Sequence, residues 1–145
     1  MNLSEDIKIV SALDYASGTA TREGATLDTQ RWEGVLFVTK FGTIADSAVG
    51  DVHMEQGDDS GLTDAADLEG TAQAVAHDDD NQIFVIDLVK PMKRYVRGVV
   101  TKDGSHAMAE MAFYILYGPG KKPTTMAVTD LVNYEKHVSP AEGTK

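Results

Sequence analysis

The chain has 145 residues, no cysteine, and 13 basic against 23 acidic residues, which gives a formal net charge of −10. One domain of this length can bury a sufficient core without a disulfide or a metal, and the absence of cysteine excludes disulfides, thiolate metal sites and cysteine nucleophiles. The negative balance argues against broad nucleic-acid binding, because contact with phosphates requires positive potential.

Most of the chain is predicted to form β-strands, because apolar and polar residues alternate with a period of two and β-branched and aromatic residues are frequent. The pattern predicts strands over residues 7–13, 24–29, 34–41, 49–55, 83–89, 95–101 and 107–117, with an eighth near 125–132. Short strands with turn signals and without long helices predict an all-β fold, an antiparallel β-sandwich that is jelly-roll-like. We assign residues 1–120 to the sandwich and 121–145 to a C-terminal arm that lies on its own domain or along a partner.

Two strands carry more specific patterns. Residues 34–41 are largely apolar on both faces, which is typical of a strand in the middle of a sandwich. In the last strong strand Met111, Phe113 and Ile115 share one face, and Glu110 lies on the other. This alternation is the pattern of a half-buried strand.

The turn between residues 95–101 and 107–117 contains Asp103-Gly104. An Asp-Gly pair between alternating segments favours a tight turn with positive φ angles. We therefore predict that these two strands form a β-hairpin.

A long loop rich in Asp, Gly, Ala and Ser covers residues 56–81. It is predicted to carry one short helical turn around residues 62–68, capped by Asp or Ser. A loop of this length in a compact domain is usually functional or mobile.

Charge is unevenly distributed along the chain. Residues 41–89 contain twelve acids and no Lys or Arg, whereas residues 90–122 contain seven bases and two acids. Such a split suits an oriented contact with another protein, because complementary charge sets the register of an interface. The alternative is a solvated acidic loop beside an ordinary basic strand.

The candidate partner-binding residues are a cationic cluster and two aromatic side chains. Arginines bind carboxylates of a partner, and an exposed aromatic residue serves as an interface anchor or as a platform for carbohydrate. The alternative for the tryptophan is a packing role in the core or at its rim, with no part in binding. The candidates are Lys90, Lys93, Arg94, Arg97, Trp32 and Tyr134.

No cofactor, metal or catalytic centre is predicted. The acids from Asp58 onward are candidate calcium ligands. In the helix-loop-helix calcium loop the fifth position needs an oxygen ligand, and in a loop that starts at Asp58 this position is Leu62. The four histidines have no zinc-ligand spacing, and the chain lacks both a G-x-S-x-G elbow and a glycine-rich phosphate loop. We therefore expect a binding protein and no enzyme.

Several segments together resemble a known family. They are the opening IKIVSALDYA, DTQRWEGVLFVTKFGTI from Asp28 to Ile44, the acidic loop GDDSGLTDAADLEGT, DLVKPMKRYVR from Asp87 to Arg97, and ILYGP at the end of the last strong strand. The chain resembles small proteins encoded near the major capsid protein of tailed bacteriophages, the head decoration or cement proteins.

The resemblance implies a non-enzymatic virion structural protein on the capsid exterior that stabilises contacts between major capsid subunits. Its expected partners are the major capsid protein and further copies of itself, as a homodimer or homotrimer, with no nucleic acid and no membrane. The chain would be present in the host cytoplasm during assembly. Two alternatives stay open: a carbohydrate-binding jelly-roll module for host attachment, and a phage neck or tail-completion protein.

Overall fold

The computed structural model describes residues 2–126, 131–139 and 141–144. Within these residues no helix is long and apolar enough to cross a bilayer. The described chain forms one short helix and ten strands, in the order α1 (Leu3–Asp6), β1 (Ile7–Gly18), β2 (Arg22–Glu23), β3 (Leu27–Asp28), β4 (Trp32–Ile44), β5 (Val49–Gly57), β6 (Ala66–Asp67), β7 (Gln73–Ala76), β8 (Ile83–Val89), β9 (Tyr95–Lys102) and β10 (Met108–Pro119).

The strands form two antiparallel sheets that pack as a sandwich. The four-stranded sheet has the order β1-β10-β4-β8. The six-stranded sheet has the order β2-β9-β5-β6, with β3 also pairing with β9 and β7 with β5. If β2 with β3, and β6 with β7, are each taken as one broken strand, the pairs join the first strand to the last, the second to the next-to-last, and so on inward. This is an antiparallel ribbon rolled into a jelly roll, so the predicted fold class is confirmed.

The core lies between the two sheets. Phe37, Phe41 and Tyr114 from the four-stranded sheet are fully buried, and Met54 and Val100 face them from the six-stranded sheet. The rings of Phe37 and Tyr114 lie 5.5 Å apart. Buried aromatic and branched side chains of this kind supply the apolar area that stabilises a sandwich.

A cluster of buried charges lies at one end of the core. The Glu110 carboxylate is fully buried and lies 2.8 Å from the Lys102 ammonium and 2.8 Å from the Arg22 guanidinium. Lys102 also donates hydrogen bonds to the carbonyls of Gly18 and Met108, at 3.0 Å each. The cluster therefore connects β1, β2, β9 and β10 through a buried carboxylate that faces two cations.

The side chains of β10 lie on two faces as predicted, and the structure shows which face is buried. Glu110 and Tyr114 point into the core, whereas Met111 is 40% exposed and Phe113 and Ile115 are partly exposed on the outside. The carboxylate is tolerated inside because two cations meet it there, Arg22 from β2 and Lys102 from the end of β9, just before the turn into β10. The apolar side of this strand is the outer one.

The prediction that residues 95–101 and 107–117 form a hairpin is wrong. Asp103 and Gly104 do form a turn, with φ +82° at Gly104 and the Asp103 carboxylate accepting hydrogen bonds from the main-chain N–H groups of Ser105 and His106. However, β9 pairs within the six-stranded sheet and β10 within the four-stranded sheet. The turn is a crossing between sheets, because local turn chemistry reverses the chain without selecting a strand partner.

Three further predictions need correction. No helical turn forms over residues 62–68, where the chain makes tight turns and then the short strand β6. The strand predicted over residues 24–29 is broken into two short pieces, of which only β3 falls inside the predicted range. Of the predicted strand near residues 125–132, positions 127–130 lie outside the described residues, and 125–126 and 131–132 form no strand.

Candidate interaction surface

The outer face of the four-stranded sheet is apolar over all four strands. Because Val35, Phe37 and Ile86 point inward, their sequence neighbours on β4 and β8 point outward, and the strand pairing aligns these with the outer residues of β1 and β10. We call this surface the apolar face. Its side chains are Ile7, Ile9, Leu36, Val38, Ile83, Val85, Val89, Met111, Phe113, Ile115 and Tyr117, with Ser11, Lys40 and Asp87 as its polar members.

Exposure values show that water reaches this surface. Along the edge strand β8, Ile83 is 61% exposed, Val85 44% and Val89 53%. Tyr117 crosses β4 above Gly34, where a Cβ atom would collide with the tyrosine ring, and donates a hydrogen bond to Asp87 at 2.6 Å. Burial and this bond to a carboxylate raise the pKa of Tyr117 to about 12. An apolar surface that water reaches in this way is a candidate interaction site.

The outer face of the six-stranded sheet is charged instead. Glu55 and Asp51 of β5 alternate with buried Val52 and Met54, and Arg97 of β9 lies beside them. Arg97 contacts the Glu55 carboxylate at 2.6 Å. The usual pattern of an antiparallel sandwich, apolar inside and polar outside, therefore holds for this sheet and fails for the other.

A cleft lies at one corner of the apolar face, beside α1. It has a volume of about 520 Å³ and is lined mainly by Leu3, Ile7, Leu36, Ile115 and Tyr117. The wall is apolar, so the cleft suits a hydrophobic side chain from a partner.

Two of the predicted partner-binding cations are already paired within the chain. Lys93 lies 3.2 Å from Asp58 and 3.9 Å from Asp64 in the acidic loop. Arg94 holds Asp28 with two hydrogen bonds of 2.7 and 3.0 Å, and this pairing is the main cause of the lowered pKa of Asp28. Lys93 is thus paired with the acidic loop, and Arg94 with an acid outside it.

The other two predicted cations differ from each other. Arg97 lies between Glu55 and Glu23, at 2.6 and 2.9 Å, and only 15% of its side chain is exposed. Lys90 is exposed at φ +51°, and its side chain makes no ion pair within the described residues. Of the four cations, Lys90 is the one that the described structure leaves available to an outside carboxylate.

Trp32 begins β4, is half-buried and packs against the core. It also lines a cleft of about 360 Å³ together with Gln30, Arg31, Lys8 and Lys121 among others. Trp32 thus packs against the core and also borders a cleft that has polar residues in its lining.

Tyr134 lies in the C-terminal arm and is 43% exposed. The arm starts against the first strand, where the Thr124 hydroxyl donates a hydrogen bond to the carbonyl of Ile7 at 2.8 Å. Further on, Lys136 contacts Glu5 at 3.0 Å, while Val138 is 90% exposed. These contacts place the arm near α1, and Tyr134 lies in that arm.

The acids of the long loop serve its own backbone. Asp64 accepts hydrogen bonds from the N–H groups of Asp58 and Asp59, and Asp59 accepts them from Gly61 and Thr63. These bonds hold the pKa values of Asp59 and Asp64 below the ordinary range of aspartate. The density of aspartate at residues 58–64 thus has a structural use in shaping the loop.

One mixed cluster has donor atoms close enough for a metal ion. His53, Glu55 and Asp67 each place one such atom within 4.8 Å of the others. Asp51 lies 2.6 Å from Nδ1 of the histidine, which leaves Nε2 toward the other two residues. Because Arg97 occupies the Glu55 carboxylate, a cation already holds part of this cluster.

The apolar face was not among the binding residues predicted from the sequence. The signal was present, since residues 83–89 and 107–117 are apolar at positions of both parities. Such a run indicates a strand covered on both sides. In this structure only one side is covered by the second sheet.

No protein-family model matches the chain, and no curated protein matches it. The fold is similar to that in the crystal structure of PBSX exported protein XepA, with a TM-score of 0.51 and 18% sequence identity. The similarity covers 94% of this chain and 45% of that one, so the chain spans less than half the length of this neighbour. At such identity the likeness shows a shared fold and nothing more.

Proposed function

We propose that this chain is a structural protein of a tailed-phage virion that binds the outside of the capsid and stabilises contacts between major capsid subunits. The observation that carries the proposal is that one sandwich presents two different outer faces, one apolar and one charged. A jelly roll that exposes one apolar outer face and one charged outer face has two chemically different contact surfaces, as a part inserted into an assembly requires.

The physical mechanism is binding to the assembled state. A protein that binds the closed shell and has no affinity for its separated subunits stabilises the shell by mass action. Each contact can be weak, because a unit that touches several subunits at once gains from high effective concentration. The chain's net charge of −10 also keeps such a particle surface soluble and repels free nucleic acid.

Two lines of resemblance support a phage protein. The motifs from Asp28 to Ile44 and from Asp87 to Arg97 resemble the decoration family, and the structural neighbour is an exported protein derived from the PBSX prophage. Because the chain shares only its fold with this neighbour, the support that the neighbour gives to a phage origin is weak.

The test uses capsids assembled with and without the protein. We expect the protein to co-sediment with capsids and to raise the temperature at which they rupture. Quantitative mass spectrometry of purified particles should find it in proportion to the major capsid protein. A copy number limited to a single ring would point to the neck or tail-completion alternative, and identical rupture curves without co-sedimentation would end the proposal.

A second function, carbohydrate binding, is favoured by the cleft beside Trp32. An indole that lines a cleft next to Gln30 and Arg31 would offer stacking together with hydrogen bonds to hydroxyl groups. Glycan-array binding that disappears on Trp32→Ala, in a variant with unchanged circular dichroism, would favour this function over capsid stabilisation.

A further inference from the structure

We infer that the apolar face is covered by the same face of a second copy, so that the chain acts as a face-to-face dimer. This goes beyond the proposed function, because it names the occupant of one surface and does not depend on a capsid. The argument rests on charge, on the pairing of polar groups and on area.

Charge favours a second copy at this surface. The chain carries a net charge of −10, so two copies repel each other over most approaches. The apolar face holds one cation, Lys40, and one anion, Asp87, and is therefore neutral. Two chains can therefore meet here with no net charge on either contacting surface, which keeps electrostatic repulsion between them small in this orientation.

Two of the three polar side chains on the apolar face, Asp87 and Lys40, already have partners within the chain. Asp87 accepts the hydrogen bond from Tyr117 at 2.6 Å, and the Lys40 ammonium donates to the carbonyl of Asn81. Burying a polar group is costly mainly when its hydrogen bonds are lost. Asp87 and Lys40 therefore keep these hydrogen bonds when a second copy covers the face, and Lys40, at the end of the β4–β8 pairing, can keep its ammonium in water at the rim.

The area is sufficient for a pair. Four strands about 4.8 Å apart, each contributing seven residues of about 3.4 Å, give a face of roughly 19 by 24 Å, or about 450 Å². Two such faces cover about 900 Å² of flat area, and the relief of the side chains adds to this. A pair thus reaches the range of roughly 1,000 Å² that a biological interface requires. Sheets also stack naturally face to face at about 10 Å, and a two-fold axis closes the assembly at two copies.

The first experiment compares two valine-to-glutamate substitutions, one in each sheet. Val85, 44% exposed, lies on the apolar face, and Val49, 60% exposed, begins β5 in the other sheet. Sedimentation velocity from 1 to 100 μM should give the wild type and Val49→Glu at twice the chain mass of 15.6 kDa. Val85→Glu should weaken the dimer at least tenfold, because a charge would be buried against apolar side chains.

Single-cysteine variants provide a second measurement that leaves packing nearly intact. The chain has no cysteine, so Val85→Cys and Val49→Cys each present one thiol. Maleimide labelling at position 85 should slow severalfold as the protein concentration rises through the dimerisation range. Labelling at position 49 should not change with protein concentration. This comparison decides the question even if Val85→Glu fails to fold.

The outcomes separate this inference from the proposed function. A wild type that stays monomeric at 100 μM, or forms trimers or larger particles, overturns the face-to-face dimer, as does a Val85→Glu variant that dimerises like the wild type. A monomer whose Val85→Cys thiol becomes protected only on added capsids overturns the dimer and supports capsid binding. A dimer that ignores capsids supports the dimer and rejects the proposed function.

Discussion

Replacing Glu110 by glutamine tests how much the buried charge cluster contributes to stability. The substitution keeps the size of the side chain and an acceptor for Arg22, but it removes the negative charge. Lys102, whose side chain is fully buried, is then left without its anion. The carbonyls of Gly18 and Met108 still accept its hydrogen bonds.

The magnitude follows from burial. Removing one partner of a buried ion pair typically costs about 3–5 kcal/mol. We expect the lower end, about 3 kcal/mol, because two carbonyls remain around Lys102 and because Arg22, with 24% of its side chain exposed, can turn to water. In a chain of this size that loss corresponds to a fall in Tm of roughly 6–12 °C.

The assay is urea denaturation followed by circular dichroism and by the fluorescence of the single tryptophan, Trp32. Asp28→Asn is the matched control, since it removes the acid of the solvent-exposed pair with Arg94. It should cost less than about 1 kcal/mol. Equal losses for Glu110→Gln and Asp28→Asn would show that water screens the cluster, and the reasoning from burial would then be refuted.

Two further predictions concern the core and the acidic loop. Tyr114→Phe removes a hydroxyl that accepts a hydrogen bond from the N–H of Gly98 at 2.9 Å and donates one to the carbonyl of Ala25 at 2.8 Å. Urea denaturation should show that the free energy of unfolding falls by about 2 kcal/mol. A loss below about 0.5 kcal/mol would contradict the burial of these bonds. The lowered pKa values of Asp59 and Asp64 favour the ordered loop at pH values above the ordinary aspartate pKa, and this contribution is lost as the pH falls through the lowered values. Hydrogen-exchange protection of the loop amides should therefore be constant from pH 7 to 5 and fall below about pH 4, whereas a fall between pH 6 and 5 would argue against these carboxylates.

Local patterns were sufficient to predict most strands. The predicted residues 34–41, 49–55 and 95–101 lie inside β4, β5 and β9, and 83–89 coincides with β8. Alternation and β-branched residues act on neighbouring positions, so they can be read along the chain. The lack of long helices, together with turn signals at intervals, then indicates a sandwich.

The candidate site shows the opposite situation. The sequence identified the cations Lys93, Arg94 and Arg97, but each is neutralised by an acid that lies far away along the chain, such as Asp28 or Glu55. Because an ion pair depends on distance in space, the availability of these cations could not be judged from residue types. The same reason hid the apolar face, which is assembled from four strands.

By itself, the sequence determined the class of fold and the position of most strands, because propensity and period-two alternation are local properties. Tertiary structure alone decided which side of each strand faces outward and which strands are neighbours. Glu110 is tolerated inward because the folded chain brings Arg22, which is 88 residues away, and Lys102, across the preceding turn, to pair with it. That choice turns Met111, Phe113 and Ile115 outward and creates the surface on which the proposed assembly depends.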